Sequence, residues 1–235
     1  MRLGTRFALA LVTLCAPALA SAQLQTVTTS RRAQIYSINP NTNYGGLSNL
    51  LTAEVGGFNY YPLLQYDLSA YAGQQVQGNG VFNIFLSSTW GGTPATEEHE
   101  LRTINSSWSQ SSVTYNNFFA TNSFGATLDT RFLTYAGTGV WVGFVISQAT
   151  LQSWIDLPGS NNGFALENLG QFANGPHGTS VSGHPDMSFT DDANHQANIQ
   201  FTTNVVTSTP EPASVMLVGS GLLLVGVARR RRRLA

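Results

Sequence analysis

The 235-residue chain has no lysine; all eleven of its basic residues are arginines, and charged residues make up only 10% of it. It has one cysteine, Cys15, which sits in an apolar run near the N-terminus. Beyond that run no disulfide, thiolate nucleophile or cysteine-ligated metal is possible. The four histidines, His99, His177, His184 and His195, show no His-x-x-x-His or other zinc spacing. There is no G-x-S-x-G elbow, phosphate-binding loop or dinucleotide fingerprint. These absences leave no sequence support for thiol, zinc or nucleotide chemistry.

Both ends carry export features. Arg2 and Arg6 precede the apolar run Phe7–Leu14, and the small residues Ala18, Ala20 and Ala22 follow. This is the pattern of a signal peptide over residues 1–22, cut before Gln23. Leu14 stands before Cys15 where a lipoprotein signal has a small residue, so lipidation is not expected. At the other end, Pro210-Glu211-Pro212 is followed by Ala213–Ala228, which has no charge and no proline, and then by Arg229, Arg230, Arg231, Arg232 and Arg233. Those 16 apolar-run residues make a helix of roughly 24 Å, slightly shorter than a hydrocarbon core of about 30 Å. The arginines stay in the cytoplasm and leave the preceding chain outside. The expected organisation is a signal peptide (1–22), a β-domain (23–206), a linker with the Pro-Glu-Pro motif (207–212), a transmembrane helix (213–228) and a basic cytoplasmic tail (229–235).

The order and spacing of Pro210-Glu211-Pro212, the helix Val215–Ala228 and the block Arg229–Arg233 resemble the PEP-CTERM sorting signal of Gram-negative bacteria. The resemblance implies an exosortase-type membrane protease as partner, transient anchoring in the inner membrane, and release or transfer to the cell surface or exopolysaccharide matrix. An ordinary single-pass anchor is the alternative.

Without the two ends, four arginines face eleven acidic residues, a formal net charge of −7. An acidic, lysine-free surface is repelled by phosphate backbones, which argues against nucleic acid as a partner. Short β-branched and aromatic runs alternate with Gly, Pro and Asn turns, with strands expected over Thr26–Ile38, Leu47–Val55, Tyr60–Leu68, Val76–Ser87, Glu98–Ile104, Trp141–Ile146, Gly163–Leu166, Asp186–Thr190 and Ile199–Val206, so the expected fold is an all-β sandwich. One helix is expected over Gln148–Ile155, where Leu151, Trp154 and Ile155 share a face.

A second resemblance lies within this region. Asn43-Tyr-Gly-Gly46, Leu63-Leu-Gln-Tyr-Asp67-Leu-Ser69, Trp108-Ser-Gln-Ser-Ser-Val-Thr114-Tyr-Asn-Asn117 and Asn162-Gly-Phe-Ala-Leu166 resemble, in order, the motifs of DNRLRE-type domains. That family is similar to carbohydrate-binding modules built as jelly-roll β-sandwiches, some of which bind acidic polysaccharides. The chain departs from the pattern at Gln65, where the family has arginine, and at Tyr115, where it has tryptophan.

Sugar binding needs exposed aromatic faces with amides or carboxylates nearby for hydroxyls. Tyr60 and Tyr61, on opposite faces of one strand, and Trp90, beside Gly91-Gly92, are the expected ligand-binding residues. Trp108, Trp141 and Trp154 read as core. Asp67 reads as a turn cap before Ser69. In Glu97-Glu98-His99-Glu100 an extended backbone places Glu98 and Glu100 on one face, and the segment reads as a solvated strand start. Asp186, Asp191 and Asp192 form an oxygen-rich set that could hold calcium; no other cofactor is expected. The expected function is a non-catalytic, exported domain associated with exopolysaccharide. A polysaccharide lyase or glycosidase, and an adhesion protein without a sugar ligand, are the alternatives.

Overall fold

Turn formers cut the β-rich region into short strands that can only satisfy their backbone groups by pairing. The computed structural model describes residues 22–55, 58–90, 96–134, 138–172 and 186–205. Its elements in chain order are β1 (Ala22–Thr28), β2 (Arg31–Tyr36), β3 (Tyr44–Gly45), β4 (Asn49–Val55), β5 (Phe58–Gln65), β6 (Gln74–Val76), β7 (Gly80–Trp90), β8 (Thr96–Ile104), α1 (Tyr115–Thr121), β9 (Phe124–Thr134), β10 (Val140–Ile146), α2 (Gln148–Asp156), β11 (Phe164–Phe172), β12 (Asp186–Thr190) and β13 (Asn198–Val205). Ala22–Val205 is one compact unit. The signal peptide, the Pro210–Pro212 motif, the apolar segment and Arg229–Arg233 lie outside the described residues. Among the described residues no helix is long and apolar enough to cross a membrane.

Pairing is antiparallel throughout. In the first sheet β7 is flanked by β10 on one edge and by β13 and β12 on the other, and β1 and β6 pair with β13. In the second sheet the order runs β3, β2, β5, β11, β8, β9. Strand β4 belongs to both: Asn49–Thr52 pairs with β12 and Ala53–Val55 with β5. It carries the chain from one layer to the other, which gives the expected β-sandwich.

Two apolar clusters follow from the alternation of these strands. The larger lies between the sheets and joins Phe82, Ile84 and Leu86 of β7, Phe144 and Ile146 of β10, Phe164 and Leu166 of β11, and Ile199 and Phe201 of β13. Helix α2 adds Leu151, Trp154 and Ile155 to it. The smaller cluster covers the outer side of the second sheet, where Ala33, Ile35, Tyr61, Leu63 and Ala165 meet Trp108, Val113 and Phe118. Each fully buried aliphatic or aromatic side chain contributes about 1.5–3 kcal/mol, so both clusters matter to stability.

One helix was expected between the strands, and among the described residues there are two α-helices. Helix α1 is capped reciprocally: Asn117 N–H donates to Thr114 Oγ1 (3.2 Å) and Thr114 N–H donates to Asn117 Oδ1 (2.8 Å). Asparagine replaces the usual Glu or Gln of this box, which hid the signal. Strand β9 was also not expected.

Glu97 and His99 correct a second expectation. The alternation places them opposite Glu98 and Glu100 as expected, but their face is the sandwich interior, where both are fully buried. Asn168 Nδ2 donates to Glu97 Oε2 (2.5 Å), and His99 Nε2 lies 3.0 Å from Thr52 Oγ1. Burial lowers the His99 pKa to about 4, while its contact with the Glu97 carbonyl opposes that shift.

Two predictions follow from this packing. Gly163 has φ of +80°, and a Cβ there would sit 2.1 Å from the Leu64 carbonyl oxygen. Gly163→Ala therefore destabilises the domain by about 3 kcal/mol or more; an unchanged urea midpoint contradicts this close approach. For His99, the unfolded state binds a proton below the ordinary value of 6.5 whereas the native state resists until about 4. Its contribution is complete above pH 6.5 and is lost as pH falls from there to about 4, a loss of roughly 3 kcal/mol. NMR titration of the His99 ring is expected to show a midpoint near 4, and His99→Gln is expected to flatten that part of the stability profile. A ring titrating at the ordinary histidine value contradicts the burial.

Candidate carbohydrate-binding face

The outward residues of the first sheet form a regular grid. Register pairs Trp141 with Phe85, Gly143 with Asn83, and Val145 with Val81 across β10 and β7. It pairs Asn83 with Asn198 and Val81 with Gln200 across β7 and β13, and Asn198 with Thr28 and Gln200 with Thr26 across β13 and β1. Alternation sends Phe82, Phe144 and Ile199 inward, so these partners must face solvent.

Trp141 is 47% exposed. Its ring meets Phe85 edge-on at 5.6 Å, and Phe85 stacks on His195 at 4.0 Å and 23°. These three rings form one row of the grid. The next row is amide: Asn83 Nδ2 donates to Asn198 Oδ1 (3.2 Å), and Asn198 Nδ2 donates to the Gln196 carbonyl (2.9 Å). Gly143 ends this row, and a Cβ there would lie 3.1 Å from Val81 Cγ1 and 3.5 Å from Asn83 Oδ1. The missing side chain keeps a notch open beside the indole. An aromatic face next to amides that can donate and accept suits a sugar ring, with C–H bonds stacked and hydroxyls hydrogen-bonded.

Trp141 was expected in the core, and its exposure corrects that reading. The run Val140-Trp-Val-Gly-Phe-Val-Ile146 is apolar on both faces, so alternation alone cannot separate them. Gly143, two residues from Trp141 and on the same face, is the available signal. Trp108 and Trp154 are core, at 8% and 5% exposed; Trp108 Nε1 donates to the Asn162 carbonyl (2.9 Å).

The expected ligand-binding residues are not brought together. Tyr61 is 8% exposed and packs among Tyr115, Phe119 and Phe124, so its ring is not a free platform. Tyr60 points the other way but is half-buried, stacked on Tyr36 at 3.9 Å with its hydroxyl on the Tyr36 hydroxyl. Trp90 ends β7, and its side chain lies outside the described residues.

The calcium set is likewise dispersed. Asp191 turns inward, where Oδ2 accepts from Arg32 (2.9 Å) and Oδ1 from the Ala197 N–H (2.9 Å). Asp192 Oδ1 accepts the N–H groups of Asn194 and His195, both at 2.8 Å, which hold its carboxyl below the ordinary pKa. The Asp186 side chain lies outside the described residues. Among the described residues no three acidic, histidine or cysteine side chains are grouped as metal ligands. Asp67 is the turn cap expected, accepting the Ser69 N–H at 2.9 Å; hydrogen bonds from Ser69, then the Arg31 charge, lower its pKa. It borders a cleft of ≈ 250 Å³ with Arg31, Gln65 and Asn161. Gln65, at the family's arginine position, donates to the Asn161 carbonyl (2.6 Å).

No curated protein matches the chain. A model of the PEP-CTERM protein-sorting motif matches residues 208–233. A model of carbohydrate-binding module family 96 matches residues 23–163, more than half of the chain, and spans Phe85, Asn83, Trp141 and Gly143 but not Asn198 or His195. The chain therefore belongs to carbohydrate-binding module family 96, joined to a C-terminal PEP-CTERM sorting signal.

Proposed function

We infer from the family and the sorting motif together that this is an exosortase-sorted, carbohydrate-binding surface protein. We propose that it is a non-catalytic binder of the producing cell's own exopolysaccharide, and that it holds the polymer on the outer face of the first sheet. The observation that carries this reading is the exposed indole of Trp141, set beside Phe85, the Gly143 notch and the Asn83–Asn198 amide pair.

The non-catalytic part has its own support. Glu100 and Glu167 are cross-strand neighbours on the outer side of the second sheet. Arg102 lies between them, 2.9 Å from Glu167 and 4.0 Å from Glu100. An arginine seated between two carboxylates occupies the place where a glycosidic bond would have to lie for them to act on it as a pair.

Residues 22–205 carry both apolar clusters and form one compact unit, so they fold as a domain on their own. This domain is expected to be retarded in a gel that contains matrix polysaccharide from the producing cells. Trp141→Ala is expected to weaken retention on the order of tenfold, with the melting temperature nearly unchanged because the ring is half exposed. No new reducing or unsaturated ends are expected to form on long incubation. Unchanged retention of Trp141→Ala overturns the face, and steady release of ends overturns the non-catalytic reading.

A further inference from the structure

We infer that the face on the first sheet selects an uncharged polysaccharide and excludes polyuronates, its ligand lying in the shallow trough formed by Gly143, Asn83, Asn198 and Thr28. This rests on the reading of that face as the sugar site.

The argument begins with where the charges are. The four arginines of the folded domain, Arg31, Arg32, Arg102 and Arg131, all lie on strands of the second sheet. Three of them are committed to carboxylates: Arg32 to Asp191 at 2.9 Å, Arg102 to Glu167 at 2.9 Å and Arg131 to Asp129 at 2.8 Å. The outward positions of β1, β13, β7 and β10 are of another kind. Leu24, Thr26 and Thr28 on β1, Asn198, Gln200 and Thr202 on β13, Val81, Asn83 and Phe85 on β7, and Trp141, Gly143 and Val145 on β10 carry no formal charge. A polyuronate brings one carboxylate per sugar. Seating it here would strip water from those carboxylates with no arginine or lysine to replace it. The domain's net charge of −7 adds long-range repulsion. Hydroxyls meet no such obstacle, because Asn, Gln and Thr side chains offer them both donors and acceptors.

The relief of the face gives the trough its direction. Gly143, Asn83, Asn198 and Thr28 occupy one register row that crosses β10, β7, β13 and β1. Neighbouring strands lie about 4.8 Å apart, so the row extends roughly 14 Å, long enough for a short oligosaccharide. The aromatic row of Trp141 and Phe85 borders it on one side. Val145, Val81 and Gln200 border it on the other, with Val81 37% exposed and Asn83 half-buried below it. Gly143 opens the trough at the indole. Among the described residues Asn83 commits only its amide N–H, which leaves Oδ1 to accept from a sugar hydroxyl.

The test is calorimetric titration of residues 22–205 with neutral hexasaccharides (cellohexaose and mannohexaose) and with mannuronate and galacturonate hexamers, at low and high salt. At least one neutral hexamer is expected to bind, with an affinity that changes less than about twofold with salt, and both uronates are expected to give no heat. Trp141→Ala and Gly143→Val are each expected to weaken neutral binding on the order of tenfold, while thermal melting shows both variants folded. If a uronate binds and Trp141→Ala abolishes it, the face stands and its selectivity for uncharged sugar is overturned. If a neutral hexamer binds and neither substitution matters, the face itself is overturned. If no hexamer binds, both readings fall.

Discussion

Everything in this domain hangs on the alternation of strand β7. It is bonded on one edge to β10 and on the other to β13 and then β12, so its backbone cannot rotate or slip. Phe82, Ile84 and Leu86 are thereby fixed in the interior, with 0–2% of their surface exposed. Val81, Asn83 and Phe85 are fixed on the opposite face by the same register. A slip of one residue would bury Asn83 and expose Phe82. Core and proposed binding face are thus two sides of one constraint, and the apolar interior gives that face its rigidity.

The two sheets divide the chemical labour. The second sheet carries all four arginines of the domain, pairs three of them with carboxylates and covers part of its outer side with α1 and the segment before it. The outward positions of β1, β13, β7 and β10 carry no formal charge. Contacts between the layers also protect the exposed edge. Asp129 on β9 accepts the Val145 N–H of β10 at 2.7 Å and is held by Arg131 at 2.8 Å. This ties down an edge strand that would otherwise offer its backbone to another chain. Asp191 works in the same way, binding the β12–β13 connection to Arg32 on the other layer.

Much of the fold was legible in the sequence because turn residues punctuate it. Strand β12 coincides with the expected segment, and β4, β5, β8, β10 and β13 lie within one to three residues of theirs. Strand β9 escaped because Gly125, Ala126 and the threonines dilute its alternation, and α1 because asparagine replaces glutamate in its cap. The proposed binding face was less legible, for a physical reason. Exposure of an aromatic residue depends on what the rest of the chain lays over it. Tyr61 is covered by Tyr115, Phe119 and Phe124 from α1 and β9, while Trp141 stays 47% exposed. The same applies to Glu97 and His99: their shared face was readable, but not that this face closes against Thr52 and Phe189.

The pairing of β1 with β13 sets the timing of assembly. Ala22–Thr28 opens the domain and Asn198–Val205 closes it, and the two are hydrogen-bonded neighbours. Strand β13 is also the bridge between β1 and β7. During vectorial export from the N-terminus, β1 has no partner until the last strand has crossed the membrane. Closure of the first sheet is a long-range event that loop entropy makes slow. The sorting motif begins at residue 208, after β13 ends at Val205, so the strand that completes the sheet precedes it in the order of delivery.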